Sequence, residues 1–164
     1  MHSVKQPWWR GRRGEWLVVL QAFLIALVLF GPRTIPGLPP WPETAATVMS
    51  AVGALLIAAG LAMSVAAALH LGSNLTPLPH PRDHATLVVT GPYRWVRHPI
   101  YSGLILMAVG WALFIHGWLT LIYAAGLWLF FDIKSRREER WLIERFPHYT
   151  EYQQRVRKLI PFIY

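Results

Sequence analysis

Four long blocks of this sequence contain no Asp, Glu, Lys or Arg, and apolar residues occupy nearly every position within them. The blocks run over about residues 16–30, 45–71, 100–115 and 118–131. Their apolar residues do not repeat with the period of an amphipathic helix or of a half-buried strand. A bilayer-spanning helix needs about 20 mainly apolar residues and has no polar face. The pattern therefore predicts an all-α integral-membrane protein with about four transmembrane helices.

The connections between the blocks carry turn and loop signals. Five prolines within residues 31–43 exclude a regular helix there. Residues 72–98 form a long polar connection that contains a short β-type run at 86–89. Only His116 and Gly117 separate the third block from the fourth, so these two blocks are expected to form an antiparallel helical hairpin.

Two further patterns concern helix packing. Gly53 and Gly60 are seven residues apart on one face of the second block, and small residues of this kind let helix backbones approach closely in lipid. After Asp132 the chain becomes strongly charged and helical, and it forms an amphipathic face from Phe146, Tyr149, Tyr152 and Val156. We therefore expect the glycine face to be a packing surface and the C-terminal segment to be helical.

The charge distribution predicts the orientation. The net charge is +8, and the basic residues lie before the first block, between the second and third, and after the fourth. The positive-inside rule then places both termini in the cytoplasm, in a multi-pass protein of the cytoplasmic (inner) membrane. The same distribution favours contact with anionic membrane lipids, and we predict no nucleic-acid partner. The chain has no cysteine, which excludes disulfides and any thiolate nucleophile or cysteine metal ligand from the chain itself.

We interpret residues 1–164 as a single domain with three parts. Residues 1–14 form a basic, tryptophan-containing interfacial arm, and residues 15–72 hold the first two spans. Residues 73–164 hold the other two spans and the C-terminal helices. No clean signal-peptidase site follows the first block, because a proline-rich stretch comes next, so we expect the first span to be retained.

The densest polar and aromatic cluster lies at residues 91–103, where a loop becomes the third block. Gly91-Pro92 predicts a turn, and Pro99 suits the first position of a helix. The unpaired N–H groups at such a helix start favour an anionic group, and His98 and Tyr101 add side-chain donors. This stretch is therefore a candidate site for a carboxylate or phosphate.

Glu138 and Glu139 lie on the charged segment after the fourth block, at the same predicted membrane face as residues 91–103. Either carboxylate could bind an ammonium or sulfonium group, so a ligand with both a carboxylate and a cation would fit between the two stretches. The alternative is that these glutamates form only salt bridges with Arg94 and Arg97. The residues alone leave both alternatives open.

The two stretches together resemble the isoprenylcysteine carboxyl methyltransferase family, whose core is shared by phosphatidylethanolamine N-methyltransferases. The matching residues, within about residues 70–164, are Gly91-Pro92-Tyr93, Arg97-His98-Pro99-Ile100-Tyr101-Ser102-Gly103, Glu138-Glu139, Leu142, Phe146, Tyr149, Tyr152, Val156 and Pro161. Where the family pattern has Val-Pro-Arg, this chain has Val156-Arg157-Lys158. The resemblance implies a membrane methyltransferase that uses S-adenosylmethionine as cofactor and acts on a lipophilic or lipid substrate.

The resemblance also implies residue roles. Leu87 and Val88 would contact the adenosine part of the cofactor, and Tyr93 would pack on or hydrogen-bond the nucleoside. The start of the third helix would line the pocket through His98, Pro99, Ile100, Tyr101 and Gly103. Glu138 or Glu139 would bind the methionyl ammonium group. An anionic group of the acceptor would be held by a basic residue among Lys134, Arg136 and Arg137.

The implied chemistry demands little from side chains. A sulfonium methyl group is already activated, so transfer needs orientation and exclusion of water. A carboxylate or thiolate acceptor needs no general base, whereas a protonated amine does. We nominate no catalytic residue, and we rank a carboxylate or thiol of an isoprenylcysteine-like substrate above a phospholipid amine. The methylated atom type (O, S or N) and the oligomeric state stay open.

An alternative from another class is a non-catalytic membrane scaffold or a b-type haem protein, with ligands among His70, His98 and His116. The predicted topology puts His116 at the opposite face from the other two, which disfavours haem. His80 and His84 are spaced i, i+4, but the neighbouring prolines argue against a helix there. We therefore predict no metal site.

Overall fold

The computed structural model describes residues 14–78, 85–161 and 163–164. Within these ranges the chain forms α-helices and short 3-10 turns but no β-strand, which confirms the predicted all-α class. The helices are α1 (Glu15–Phe30), α2 (Glu43–Leu71), α3 (Pro99–Phe114), α4 (Trp118–Arg145) and α5 (Tyr149–Arg155). Two 3-10 turns, Gly72–Asn74 and Gly91–Arg94, lie in the connection between α2 and α3.

The helix boundaries lie where proline and glycine predict them. Residues 31–42 contain no helix, and α3 begins at Pro99, whose missing N–H is not needed in a first turn. His116 adopts a left-handed conformation with a φ of 55°, and Gly117 follows it, so the chain reverses between α3 and α4. The predicted helical hairpin is thereby confirmed.

The helix α4 is longer than the fourth apolar block. It continues without interruption from Trp118 through the charged segment to Arg145, over 28 residues. This corresponds to about 42 Å at 1.5 Å per residue. The predicted span and the predicted charged helix are therefore one continuous element, and its charged half reaches the start of α3 through Glu138 and Glu139.

The helices α2 and α3 pack antiparallel with their backbones in direct contact. A Cβ atom at Gly53 would lie 2.5 Å from the carbonyl oxygen of Gly110, and a Cβ atom at Gly60 would lie 2.5 Å from the carbonyl oxygen of Gly103. Side chains cannot occupy such distances, so this contact requires glycine at both positions of α2. The predicted packing role of Gly53 and Gly60 is confirmed, and α3 supplies a matching pair with the same spacing.

The helices α1, α3 and α4 share an apolar core formed by Val28, Ala108, Ala124, Leu127, Phe130 and Phe131. Large apolar side chains also face outward, for example Phe30, Leu55 and Leu69, which are 84%, 70% and 76% exposed. Extensive exposed apolar surface of this kind is typical of contact with a membrane or a partner. Among the described residues, one helical stretch, Glu43–Asn74, is long and apolar enough to cross a bilayer, and α1 and α3 are shorter apolar helices.

Two local predictions differ from the structure. Residues 86–89 form no strand, and the isolated β-bridge instead pairs Val96 with Arg157. The C-terminal aromatic face is helical only over α5, because the backbone is extended at Phe146 and Val156.

The predicted interfacial arm, apart from its last residue, and the histidine pair at 80 and 84 lie outside the described residues. Within the described part of the chain, no cluster of three potential metal ligands occurs.

Candidate functional site

A cavity of about 380 Å³ lies beside the start of α3. All five helices contribute to its walls, together with residues 74–78 and 85–88 of the connection between α2 and α3. The lining is mainly apolar and contains a few polar side chains. Both the volume and this composition are typical of a site for a small organic ligand.

Most residues that the sequence nominated meet at this cavity. Those in its lining are Leu87, Val88, Tyr93, His98, Ile100, Tyr101, Lys134 and Glu138. Pro99 and Gly103 are buried in α3 outside the lining. Arg136 forms an ion pair with Asp132 at 2.9 Å, and Arg137 lies over the ring of Trp141. Glu139 also lies outside the lining, so the two adjacent glutamates have different surroundings.

Glu138 is the glutamate that lines the cavity. Tyr101 donates a hydrogen bond from its hydroxyl to Oε2 of Glu138 at 2.8 Å, and Nδ1 of His98 lies 3.8 Å from the same oxygen. No Lys or Arg of the described residues forms an ion pair with Glu138. Tyr101 is itself fixed, because its ring stacks on His98 at 5.4 Å and on Phe131 at 4.6 Å between centroids. The Glu138 carboxylate is therefore held in a defined position without a permanent cationic partner.

Glu139 is the centre of a buried polar network. Its Oε1 accepts hydrogen bonds from Nε of Arg97 at 2.7 Å and from Nε2 of His98 at 3.0 Å, and Gln153 donates to Oε2 at 3.0 Å. Burial by itself raises the pKa of this carboxyl group. The hydrogen bonds from His98 and Arg97 outweigh burial and lower the pKa to about 2. Glu139 thus stays ionised and joins α4 to the start of α3 and to α5.

This network predicts a loss of stability in acid. The pKa of the Glu139 carboxyl group is about 2 in the folded chain, below its ordinary value of 4.5. The contribution of the ionised carboxylate to the stability of the fold is therefore complete above pH 4.5 and is lost as the pH falls toward 2. We expect the unfolding temperature in detergent to decrease across this interval, and to decrease less in Glu139→Gln. Circular dichroism melts at several pH values measure both. Equal acid sensitivity of the two proteins would contradict this assignment.

The C-terminal segment is fixed beside the start of α3 by several bonds. The backbone N–H groups of Arg97 and His98 donate to the carbonyl oxygens of Arg157 and Lys158 at 2.8 and 3.1 Å. Ser102 donates from Oγ to the carbonyl oxygen of Leu159 at 2.6 Å. The buried ammonium of Lys158 forms an ion pair with Asp132 of α4. At the position where the family pattern has arginine, this lysine therefore joins the C-terminal segment to α4.

Residues 74–78 and 85–88 of the connection between α2 and α3 line the cavity, and these described parts are fixed at two points. The side-chain amide of Asn74 donates to Oγ1 of Thr86 at 3.2 Å and accepts from the N–H of Thr86 at 3.2 Å. Nζ of Lys134 donates to the carbonyl oxygen of Pro77 at 3.0 Å and to Oε1 of Gln21 at 2.5 Å. The sequence reasoning named neither Asn74 nor Gln21. A signal for Gln21 was present, because it is the single polar side chain in the first apolar block.

The turn before α3 requires glycine at its first position. Gly91 has a φ of 59°, and the ring of His70 occupies the space that a Cβ atom would need. Nδ1 of His70 lies 2.8 Å from the carbonyl oxygen of Ala66, which fixes the ring against α2. Two residues later, the carbonyl oxygen of Tyr93 accepts a hydrogen bond from the hydroxyl of Tyr152 at 2.5 Å. The turn is thereby held by α2 on one side and α5 on the other.

The sequence model of the phospholipid methyltransferases matches residues 48–148, from α2 to just beyond α4. The chain belongs to this family, which confirms the methyltransferase resemblance predicted from the motifs.

Individual relatives have a more specific name. The protein-S-isoprenylcysteine O-methyltransferase of Saccharomyces cerevisiae is 35% identical over 158 residues, which cover 92% of this chain and 65% of the yeast protein. The Homo sapiens protein of that name is 34% identical over 128 residues, which cover 75% of this chain and 45% of the human protein. This chain thus spans 45% to 65% of the length of these relatives.

A solved structure is similar over nearly the whole chain. It is that of a eukaryotic intramembrane Ras methyltransferase, an isoprenylcysteine carboxyl methyltransferase, with a TM-score of 0.66 and 25% identity. The match covers 98% of this chain and 55% of the other. The arrangement of helices is therefore that of an intramembrane methyltransferase fold.

Proposed function

We propose that this chain transfers a methyl group from S-adenosylmethionine to a lipophilic carboxylate at the membrane, with an isoprenylcysteine-like acceptor. One observation carries the proposal. Glu138 faces the cavity beside the start of α3, bonded to Tyr101 at 2.8 Å but without a Lys or Arg partner among the described residues. An anion-binding helix start and an unneutralised carboxylate complement a ligand with both a carboxylate and an ammonium group. The names of the relatives support the same activity.

The residues of the cavity fit S-adenosylmethionine. Glu138 would accept hydrogen bonds from the methionyl ammonium, and the N–H groups of Ile100 and Tyr101, in the first turn of α3, would donate to the methionyl carboxylate. Leu87 and Val88 would contact the adenosine part, beside the ring of Tyr93. Glu139 would position His98 and Arg97 without contacting the cofactor itself. His98 would line the pocket through the ring edge that faces Glu138.

When bound, S-adenosylmethionine supplies a methyl group on a positively charged sulfur, already activated for transfer. The chain then has to orient the two reactants and exclude water, and its mainly apolar lining suits both tasks. Glu138 is the one carboxylate that lines the cavity among the described residues, and it is engaged by Tyr101. No carboxylate of this lining is therefore left over to act as a general base. We take this to favour a carboxylate acceptor over the protonated amine of a phospholipid.

The acceptor's anionic group would be held by Lys134. This lysine is 1% exposed and lines the cavity. Arg136 and Arg137, the other two candidates, lie outside the lining and would at most contact the acceptor before it enters. Because Lys134 and Glu138 are one helical turn apart on α4, we propose that the acceptor and cofactor sites adjoin along this helix.

We further propose that the chain is one multi-pass membrane domain in which α1 to α4 cross the bilayer and both termini are cytoplasmic. The basic residues after Asp132 and before α1 support this orientation. The helices α1 and α3 have 16 residues each, about 24 Å, so they would need local thinning of the bilayer or interfacial flanks. The cavity would then open toward the cytosol, from which the cofactor enters, and the acceptor would arrive through the lipid.

Calorimetric binding of S-adenosylhomocysteine to the full chain in detergent tests cofactor recognition. We expect saturable binding, and its absence from folded protein would refute the proposal. Transfer of labelled methyl groups from S-adenosylmethionine to an S-farnesylated cysteine derivative tests the acceptor. Base-labile label in that compound is the expected ester. Stable label in phosphatidylethanolamine derivatives would instead establish the phospholipid N-methyltransferase alternative.

A further inference from the structure

We propose that Gln21 of α1 completes the acceptor site. In this inference, which rests on the proposed function, the amide N–H of Gln21 and the ammonium of Lys134 together bind the carboxylate of the acceptor. Gln21 lies outside residues 48–148, the segment that matches the family model. The contact would therefore be supplied by a helix that the family match does not include.

The first step of the argument is the bonding of Lys134. Its ammonium has three N–H groups, of which one donates to Oε1 of Gln21 at 2.5 Å and one to the carbonyl oxygen of Pro77 at 3.0 Å. Nζ lies 5.2 Å from the centroid of the Tyr101 ring. No Asp or Glu of the described residues forms an ion pair with this lysine. A buried ammonium without a carboxylate partner retains one donor and a positive charge for a ligand.

The second step is the orientation of the Gln21 amide. Lys134 can only donate hydrogen bonds, so the oxygen of the amide must face Nζ and the amide N–H groups must point elsewhere. Those N–H groups have no partner among the described residues. Gln21 is partly exposed and lines the cavity. A second donor thus accompanies the free donor of Lys134 at the same wall of the cavity.

The third step is the chemistry that two such donors select. An ammonium and an amide N–H suit a negatively charged group with at least two acceptor oxygens, and a carboxylate is the smallest such group. The lining of the cavity is mainly apolar, which suits a lipophilic remainder of the acceptor. The pair Gln21 and Lys134 therefore suits a carboxylate at the end of an apolar chain.

The test uses the full chain in detergent, saturated with S-adenosylhomocysteine, and an S-farnesylated N-acetylcysteine as the acceptor. We expect Gln21→Leu to raise the acceptor dissociation constant about tenfold, the equivalent of about 1.4 kcal/mol. Gln21→Glu should raise it further, because the new carboxylate would neutralise Lys134. The affinity for S-adenosylhomocysteine should stay unchanged in both. An analogue of the acceptor with a primary carboxamide in place of the carboxylate serves as a second probe. The substitution Gln21→Leu should reduce the affinity for this analogue less than it reduces the affinity for the acceptor itself.

The matched control is Gln154→Leu, which removes an exposed glutamine from α5. It should bind both compounds as the wild type does. Acceptor binding by Gln21→Leu within twofold of the wild type would overturn the inference, and so would a parallel loss of cofactor and acceptor affinity. If the proposed function is wrong, the wild type will already show it: it will bind the cofactor but will neither bind the acceptor nor transfer a methyl group.

Discussion

Glu138→Gln is expected to weaken the binding of S-adenosylhomocysteine about a hundredfold while the unfolding temperature changes by only a few degrees. The substitution keeps the size of the side chain and an oxygen that can accept from Tyr101, so the packing is retained. It removes the negative charge that would face the ligand's ammonium. Loss of a charge-assisted hydrogen bond in a partly buried site costs about 2–3 kcal/mol, which corresponds to this factor. Calorimetry and circular dichroism measure the two quantities.

Glu139→Gln is the matched comparison on the next residue. It should reduce stability by about 3 kcal/mol, because Arg97 and His98 would remain buried without their shared carboxylate. The cofactor affinity of the protein that stays folded should fall less than in Glu138→Gln. The reverse pattern, with stability lost in the first variant and binding lost in the second, would contradict the assignment of the two glutamates.

Gly60→Ala should destabilise the protein by about 3 kcal/mol, a loss typical of strong overpacking. The added methyl group would lie 2.5 Å from the carbonyl oxygen of Gly103 and 2.9 Å from Cγ of Met107. The Met107 side chain can move, but the backbone carbonyl of α3 cannot move without separating the two helices. The start of α3 forms one wall of the cavity, so cofactor affinity should fall as well. Thermal unfolding in detergent measures the loss of stability, which corresponds to roughly 6–12 °C for a chain of this size.

Gly126→Ala on α4 provides the control for this substitution. A Cβ atom at Gly126 would have no neighbour within 4 Å among the described residues. Alanine favours a helix over glycine by about 0.5–1 kcal/mol, so this variant should be equally stable or slightly more stable than the wild type. A similar loss in both variants would show that helix packing is not the cause.

The helices could be predicted from the sequence because their ends are determined locally. The prolines of residues 31–43 interrupt the chain, and Pro99 begins α3. The glycine spacing at 53 and 60 identified the face of α2 that packs. Of the motif residues at the start of α3, His98, Ile100 and Tyr101 line one cavity because they lie within about one helical turn, whereas Pro99 and Gly103 are buried outside the lining.

The rest depended on tertiary contacts that local sequence does not encode. Glu138 and Glu139 are adjacent, and neighbouring side chains on a helix point about 100° apart, so only the packing of α4 decides which of them faces the cavity. One partner of Asp132 is Lys158, which is 26 residues away and belongs to a non-helical segment. The role of Gln21 depends on the position of α1 next to Lys134. The extended backbone at Phe146 also departs from the spacing that predicted a longer helix.

The hairpin of α3 and α4 closes at His116 and Gly117, whereas the candidate site lies at its two open ends. The tight turn therefore does little to fix the distance between Glu138 and Tyr101. That distance is maintained by the bonds of Glu139 to Arg97 and His98, and by the segment after α5 through the backbone bonds of Arg157 and Lys158 to the same two residues. A single proteolytic cut between α5 and Lys158 would leave α1 to α4 intact and still loosen one of the two ties between the open ends of the hairpin. We therefore expect such a cut to weaken ligand binding at the candidate site without unfolding the long helices.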